Sequence, residues 1–220
     1  MNKIRITKDM VRSLHETPYI KLFDLQYAPG KHYYNASRKG PQDLIALKSD
    51  EEFKAMKADA VTCIVLVQTP DTEPRLYLQY EYRYPTGQFL LSPPAGLMDP
   101  ADADEADPLF SVTRREIFEE TGLMLKDTDI FRVVNPLVFS TPGMSDESNA
   151  MTLAIIHVPD LSSLSQEGTV GTELMDGYEL FTKEEALEVL KSGRDKFGNF
   201  YSIYTLICLI YYVTDLWKDK

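Results

Sequence analysis

Residues 91–123 read LSPPAGLMDPADADEADPLFSVTRREIFEETGL, and the second half of this stretch decides how the chain is read. Asp107 is a good helix N-cap, and Pro108 suits the first helical position because its missing N–H would have no partner there anyway. Gly122 supplies the stop, since glycine enters the left-handed conformation without steric cost. The spacing therefore predicts a helix between Asp107 and Gly122. Phe110, Thr113 and Ile117 fall at i, i+3 and i+7 and form its apolar stripe. Glu116, Glu119 and Glu120 fall at i, i+3 and i+4 and share a different face.

Three carboxylates on one face repel. Each like-charge pair at i,i+4 destabilises an isolated helix by about 0.2–0.5 kcal/mol. Glu119 and Glu120 also lie near the negative end of the helix dipole. Two readings are open. One is a solvated acidic face on which Arg115 pairs with Glu119. The other is a compensating cation, for which hard oxygen ligands suit Mg²⁺ or Mn²⁺. Spacing alone does not choose between them.

The acidity is concentrated here. Between Gly96 and Gly122 there are eight carboxylates, opposed only by Arg114 and Arg115. The 220-residue chain as a whole has 34 acidic and 23 basic side chains, a net charge of −11. Such a surface disfavours nucleic-acid polymers and anionic membrane faces, which need clustered Lys and Arg. With 44% hydrophobic and 26% charged residues, the composition is globular rather than disordered.

Outward from this segment, Ile20–Ala28 reads as a strand, with Ile20, Leu22 and Asp24 on one face and Lys21, Phe23 and Leu25 on the other. Pro29-Gly30 is a turn and 32–38 a return strand. Ser49 caps a short helix running from Asp50 toward Lys57. The run 60–67 is continuous and β-branched, as in a buried central strand. Further strands are expected at 76–81, 89–91, 130–139, 151–158 and 178–181. Thr182 and Glu185 form a capping box for a helix that Gly193 ends, and a last helix covers about 200–217. Its purely apolar core, 206–213, is too short for a membrane span, which takes about 20 residues, so a buried C-terminal helix is expected. Strands in the middle with helices among and after them give an α+β fold with a mixed sheet. Residues 1–58 form a β-rich N-terminal extension and 59–220 the main domain. Cys63 and Cys208 sit in apolar runs and read as small buried hydrophobes. The N-terminus lacks a signal-peptide apolar core, so a reduced, cytoplasmic setting is expected.

Residues 115–123, REIFEETGL, resemble the second half of the Nudix box, R-E-U-x-E-E-x-G-U with U apolar, without a gap. Pro94-Ala95-Gly96 resembles the P-A-G that opens the box. Between them the chain departs from the pattern: Gly96 precedes Arg115 by nineteen residues rather than fourteen. A five-residue insertion within 97–106 accounts for this, and the box's first Glu then falls at Asp107. EYRYP at 81–85 is similar to the strand end that precedes the box in ADP-ribose and ADP-sugar pyrophosphatases. STPGMSDE at 140–147 is similar to the loop that follows it. The region 19–38 is similar to that branch's extra β-domain, which is exchanged in a homodimer.

The resemblance implies an α/β/α sandwich and Mg²⁺-dependent hydrolysis of a nucleoside diphosphate sugar, with Mn²⁺ as a substitute metal. Glu116, Glu119, Glu120 and the backbone carbonyl of Ala95 would hold the metal, and Arg115 would orient the glutamates through an ion pair. Glu147 would serve as general base or position the water, with its neighbour Asp146 or a box glutamate as the alternative, and Glu119 and Arg115 count with it as catalytic residues. Arg83 is the best phosphate-binding arginine for its bidentate fork, and Arg38 a further substrate contact. Tyr33, Tyr34, Tyr82 and Tyr84 offer stacking faces. A nucleoside triphosphate pyrophosphatase and a non-catalytic ligand-sensing module are the competing readings.

Overall fold

The computed structural model describes residues 3–99, 101–102, 105–169 and 173–218. They divide into two compact units, Met1–Asp59 with Leu137–Asn149, and Ala60–Pro136 with Ala150–Lys220.

The first unit holds a three-stranded antiparallel sheet in the order β1-β2-β3, made of β1 (Val11–Glu16), β2 (Lys21–Ala28) and β3 (Lys31–Ser37). Gly30, at φ 68°, makes the turn between β2 and β3. Phe23 and Leu25 point into a small core with Leu44, closed by Ile6, Val11 and Leu47. Ile20 and Leu22, the alternate residues, are exposed. β1 has no counterpart in the sequence reading: all but its first residue is exposed, so it shows no apolar periodicity. α1 (Asp50–Lys54) starts at the expected Ser49 cap, which Glu52 completes into a capping box, but stops at Ala55, short of Lys57. The 140–147 loop belongs to this unit. Its Met144 carbonyl accepts from the Ala36 N–H at 2.8 Å, and its Gly143 carbonyl from the Tyr33 hydroxyl at 2.8 Å.

The remaining strands form a seven-stranded sheet. Its strands are β4 (Ala60–Gln68), β5 (Arg75–Arg83), β6 (Gln88–Ser92), β7 (Ala95–Leu97), β8 (Ile130–Phe139), β9 (Ser148–His157) and β10 (Met175–Phe181). The order is β10-β5-β4-β9-β8, with β6 joined to β5 and β7 to β4. β5 is antiparallel to β4, β6 and β10, and β7 to β4. The Asp59 N–H bonds the Ser148 carbonyl and the Val158 N–H bonds the Gln68 carbonyl. This near-constant offset makes β4 and β9 parallel and the sheet mixed. Every residue of β4 except Gln68 is buried, as its apolar run implies for a central strand.

Helices cover both faces of this sheet. On β5, the Tyr77 and Gln79 side chains reach α2 (Pro108–Thr121) through Glu120, whereas Tyr80 meets the Phe197 ring at 5.2 Å. Adjacent strand residues point to opposite faces. α2 therefore covers one face, and the connection between α3 (Lys183–Ser192) and α4 (Ile203–Val213) lies on the other. α3 has the expected capping box and ends at Gly193, φ 67°. α4 is shorter than expected, because Ser202 caps its start and the chain turns left-handed at Asp215, φ 62°. No helix among the described residues is long and apolar enough to cross a membrane. Cys63 and Cys208 are free and buried, and burial pushes the Cys63 thiol up to about 12.

Candidate active site

α2 forms where its caps predict. The Asp107 carboxylate accepts the Phe110 N–H at 3.1 Å, and Gly122 ends the helix at φ 72°. Only glycine fits there, since a Cβ at 122 would meet the Ser163 carbonyl oxygen at 2.7 Å. Val112, Thr113, Ile117 and Thr121 bury one side of the helix, and Glu116 and Glu120 are buried with them. Glu116 is 5% and Glu120 2% exposed. For these two, a solvated acidic face does not describe the helix. Glu119 is more open, with 30% of its side chain exposed.

Each buried carboxylate is held by named partners. Glu120 accepts from the Gln79 amide at Oε2 and from the Ala95 backbone N–H at Oε1, 3.4 Å away. The Tyr77 hydroxyl reaches the Glu120 carbonyl oxygen at 3.3 Å. Glu116 pairs with Arg115 at 2.8 Å and lies directly over Gly96. A Cβ on Gly96 would come within 2.0 Å of the Glu116 carboxyl carbon, so any larger residue there would push this carboxylate out of its place.

Arg115 is the hub of the segment. Besides Glu116 it reaches Asp102 at 3.3 Å, Asp99 at 3.9 Å and Glu119 at 4.0 Å, and it donates to the Leu97 carbonyl at 3.2 Å. Asp102 lies in the 97–106 segment, so part of that segment is tied to Arg115. Asp104 lies outside the described residues.

The local field opposes ionisation. Burial pushes the Glu116 carboxyl up to about 7, against the pull of Arg115, with Glu119, Glu173 and Asp99 adding to the rise. Burial raises Glu120 well above the usual carboxylate range, and Gln79's hydrogen bond offsets only part of it; Glu81, Glu173 and Glu116 add to the rise. Burial also raises Glu81, although Arg83 opposes the shift. Glu81 and Glu173 are thus part of the same acidic field; Glu81 enters the sequence reading only as the first residue of EYRYP, and Glu173 does not stand out. Glu173 precedes β10 in a loop without a local motif. Gln79 carried a faint signal, as a polar residue inside the otherwise apolar 76–80 run.

Among the described residues, no three acidic, histidine or cysteine side chains are gathered closely enough to hold an ion. What the structure assembles is narrower: Glu116, Glu120 and the Ala95 backbone around Gly96, with Arg115 alongside. Arg83 is half-exposed, and one of its terminal nitrogens lies 2.5 Å from Glu81, which sets its direction.

The remaining candidates lie in the first unit. Glu147 accepts from Arg38 Nε at 2.6 Å. Asp146 accepts the Ile45 N–H at 3.2 Å through one oxygen, and its other oxygen is buried without a hydrogen-bond partner among the described residues. The loop thus separates the two carboxylates, with Asp146 turned into the fold and Glu147 toward a cation. Of the tyrosines, Tyr33 is committed to Gly143, and Tyr82 packs edge-on against Tyr84 and Phe89.

No family model matches the chain. Over 104 residues, 44% of its length, it is 30% identical to Nudix hydrolase 14, chloroplastic, from Arabidopsis thaliana, and it spans about a third (32%) of that relative. Among solved structures it is similar to that of a C. elegans Ap4A hydrolase binary complex, at a TM-score of 0.44 and 16% identity, over 73% of this chain and 99% of that one.

Proposed function

We propose that the protein hydrolyses the pyrophosphate bond of ADP-ribose or a related nucleoside diphosphate sugar with Mg²⁺, releasing AMP, or another NMP, and a sugar phosphate. One observation carries the proposal: Glu116 and Glu120 are buried one helical turn apart beside Arg115, in a field that opposes their ionisation. Buried charges are paired or coordinate a metal, and an all-oxygen donor set suits a hard divalent cation. Partial identity to a protein named a Nudix hydrolase supports the reaction class. The EYRYP and STPGMSDE segments support the sugar-type substrate.

In this reading Glu116 and Glu120 would hold Mg²⁺, and Glu119 and the Ala95 carbonyl would be further donors drawn in by the ion. A bound Mg²⁺ would supply positive charge against the two adjacent phosphates of the substrate. Arg115 keeps Glu116 in place, and the aspartates around Arg115 keep the guanidinium turned toward it. Arg83, steered by Glu81, binds a phosphate oxygen. Arg38 pairs with the Glu147 carboxylate; by the resemblance Glu147 would act as general base toward the attacking water and Arg38 would meet the substrate. The two buried free thiols fit a reducing compartment such as the cytoplasm. The test is direct. Incubated with Mg²⁺ and a panel of nucleoside diphosphate compounds, the protein should turn over ADP-ribose or a close relative, and Glu120→Gln should lower kcat by orders of magnitude while circular dichroism stays unchanged. Absence of turnover across the panel would overturn the proposal.

A further inference from the structure

Gln79 faces Glu120 from the middle of β5 and is completely buried. Its neighbours Leu76, Tyr77, Leu78 and Tyr80 are buried as well, so an apolar side chain would complete the run at this position. A buried amide is tolerated only where its donors and acceptor find partners. Here Nε2 donates to Glu120 Oε2. Oε1 lies 3.2 Å from the Tyr77 hydroxyl and 3.5 Å from Gln166 Nε2. These two donors fix which end of the amide faces the carboxylate. Glu120 Oε1 meets the Ala95 N–H, so each oxygen of the carboxylate has one donor, from a different strand of the sheet.

We infer that Gln79 is a positioning residue, which holds the Glu120 carboxylate in the orientation that receives the divalent cation. The inference rests on the reading of Glu120 as a metal ligand. An amide suits the task because it donates to a carboxylate without adding charge. A lysine at this position would compete with the cation, and an aspartate or glutamate would repel Glu120. Tyr77 and Gln166 act one step further out: they hold the amide, and the amide holds the carboxylate. Partners of this kind around metal ligands typically change metal affinity by about 10–100-fold when removed.

The experiment titrates Mn²⁺ alone into the full-length protein, following free Mn²⁺ by electron paramagnetic resonance, with a thermal melt of every variant. Gln79→Met keeps the size of the side chain and removes both polar groups. Gln79→Glu keeps the acceptor for Tyr77 and replaces the donor to Glu120 with an oxygen. Both should weaken Mn²⁺ binding by at least about tenfold, and the lost Mg²⁺-dependent turnover should return as Mg²⁺ is raised. In a Glu120→Gln background, Gln79→Met should change Mn²⁺ binding no further. If wild type binds Mn²⁺, Glu120→Gln loses it, and a folded Gln79 variant stays within twofold of wild type, the assignment of Gln79 is overturned and the metal reading stands. A lower melting temperature with unchanged Mn²⁺ affinity would likewise make Gln79 a packing residue only. If Gln79→Met does not fold, Gln79→Glu decides. Failure of wild type to bind Mn²⁺ removes the metal reading and this inference with it.

Discussion

Glu116 shows how far one residue's chemistry departs from its place in a motif. A carboxyl held near 7 stays largely protonated in the folded chain at pH 6, while the same group in the unfolded chain ionises near 4.5. The native state therefore binds more protons between these values, and stability falls as pH rises through that window. The stabilisation is fully present below about pH 4.5 and lost by about pH 7, at most ~3 kcal/mol for a shift of this size. In EDTA, the melting temperature should fall between pH 5 and 7.5, and it should fall less in Glu116→Gln. Mg²⁺ should flatten the wild-type curve, because a bound cation favours the ionised form. Identical curves for wild type and Glu116→Gln would refute this. Gly96→Ala should displace the same carboxylate, since the new Cβ would come within 2.0 Å of its carbon; the expected loss is at least tenfold in Mn²⁺ affinity by the same titration. The identities of Arg115, Glu116 and Glu120 were legible in the sequence. Gln79 carried only a faint signal, Glu81 was legible only within EYRYP and Glu173 not at all, because their approach to the helix is created by folding between segments far apart in the chain.

Among the elements, α2 was the most legible, because its ends are set by local chemistry. Asp107, Pro108 and Gly122 act on backbone groups within a turn of themselves, so no tertiary information is needed to place them. Asp107→Ala should cost about 1 kcal/mol through the lost cap. Gly122→Ala should cost more: about 1–2 kcal/mol for the left-handed backbone alone, with the Ser163 carbonyl in the way as well. Denaturant melts should rank wild type above Asp107→Ala and Asp107→Ala above Gly122→Ala; the reverse order would mean that the C-terminal turn relaxes. β1 and the ends of α4 were illegible for the opposite reason. β1 is an exposed strand specified by its pairing with β2 rather than by its own pattern. The apolar and aromatic content of 200–217 suggested one long helix, but Ser202 and the left-handed Asp215 mark its limits. The burial of Glu116 and Glu120 is likewise tertiary, since helical spacing shows that the glutamates share a face but not what covers it.

Across the whole molecule, the division into units gives the N-terminal region a role that its composition does not suggest. The 140–147 loop is far along the chain but is held by N-terminal residues. Tyr33 and Ala36 bond its backbone, Ile45 donates to Asp146, and Arg38 pairs with Glu147. A chain starting at Lys57 would lose all four partners of this loop at once, while the partners of Glu116 and Glu120 would remain in sequence. Hydrogen exchange should then rise sharply over 140–147 and stay low along α2, and turnover of ADP-ribose should fall by at least an order of magnitude if Glu147 is the general base. The same deletion tests the homodimer that the resemblance of 19–38 implies. The sedimenting species should have twice the chain mass for the full-length protein and the single-chain mass for the truncated one, if the N-terminal sheet carries the contact. A truncated protein that remains folded and fully active, with unchanged exchange in the loop, would argue against the sugar-type reading and for a nucleoside triphosphate pyrophosphatase, which has no need of the extension.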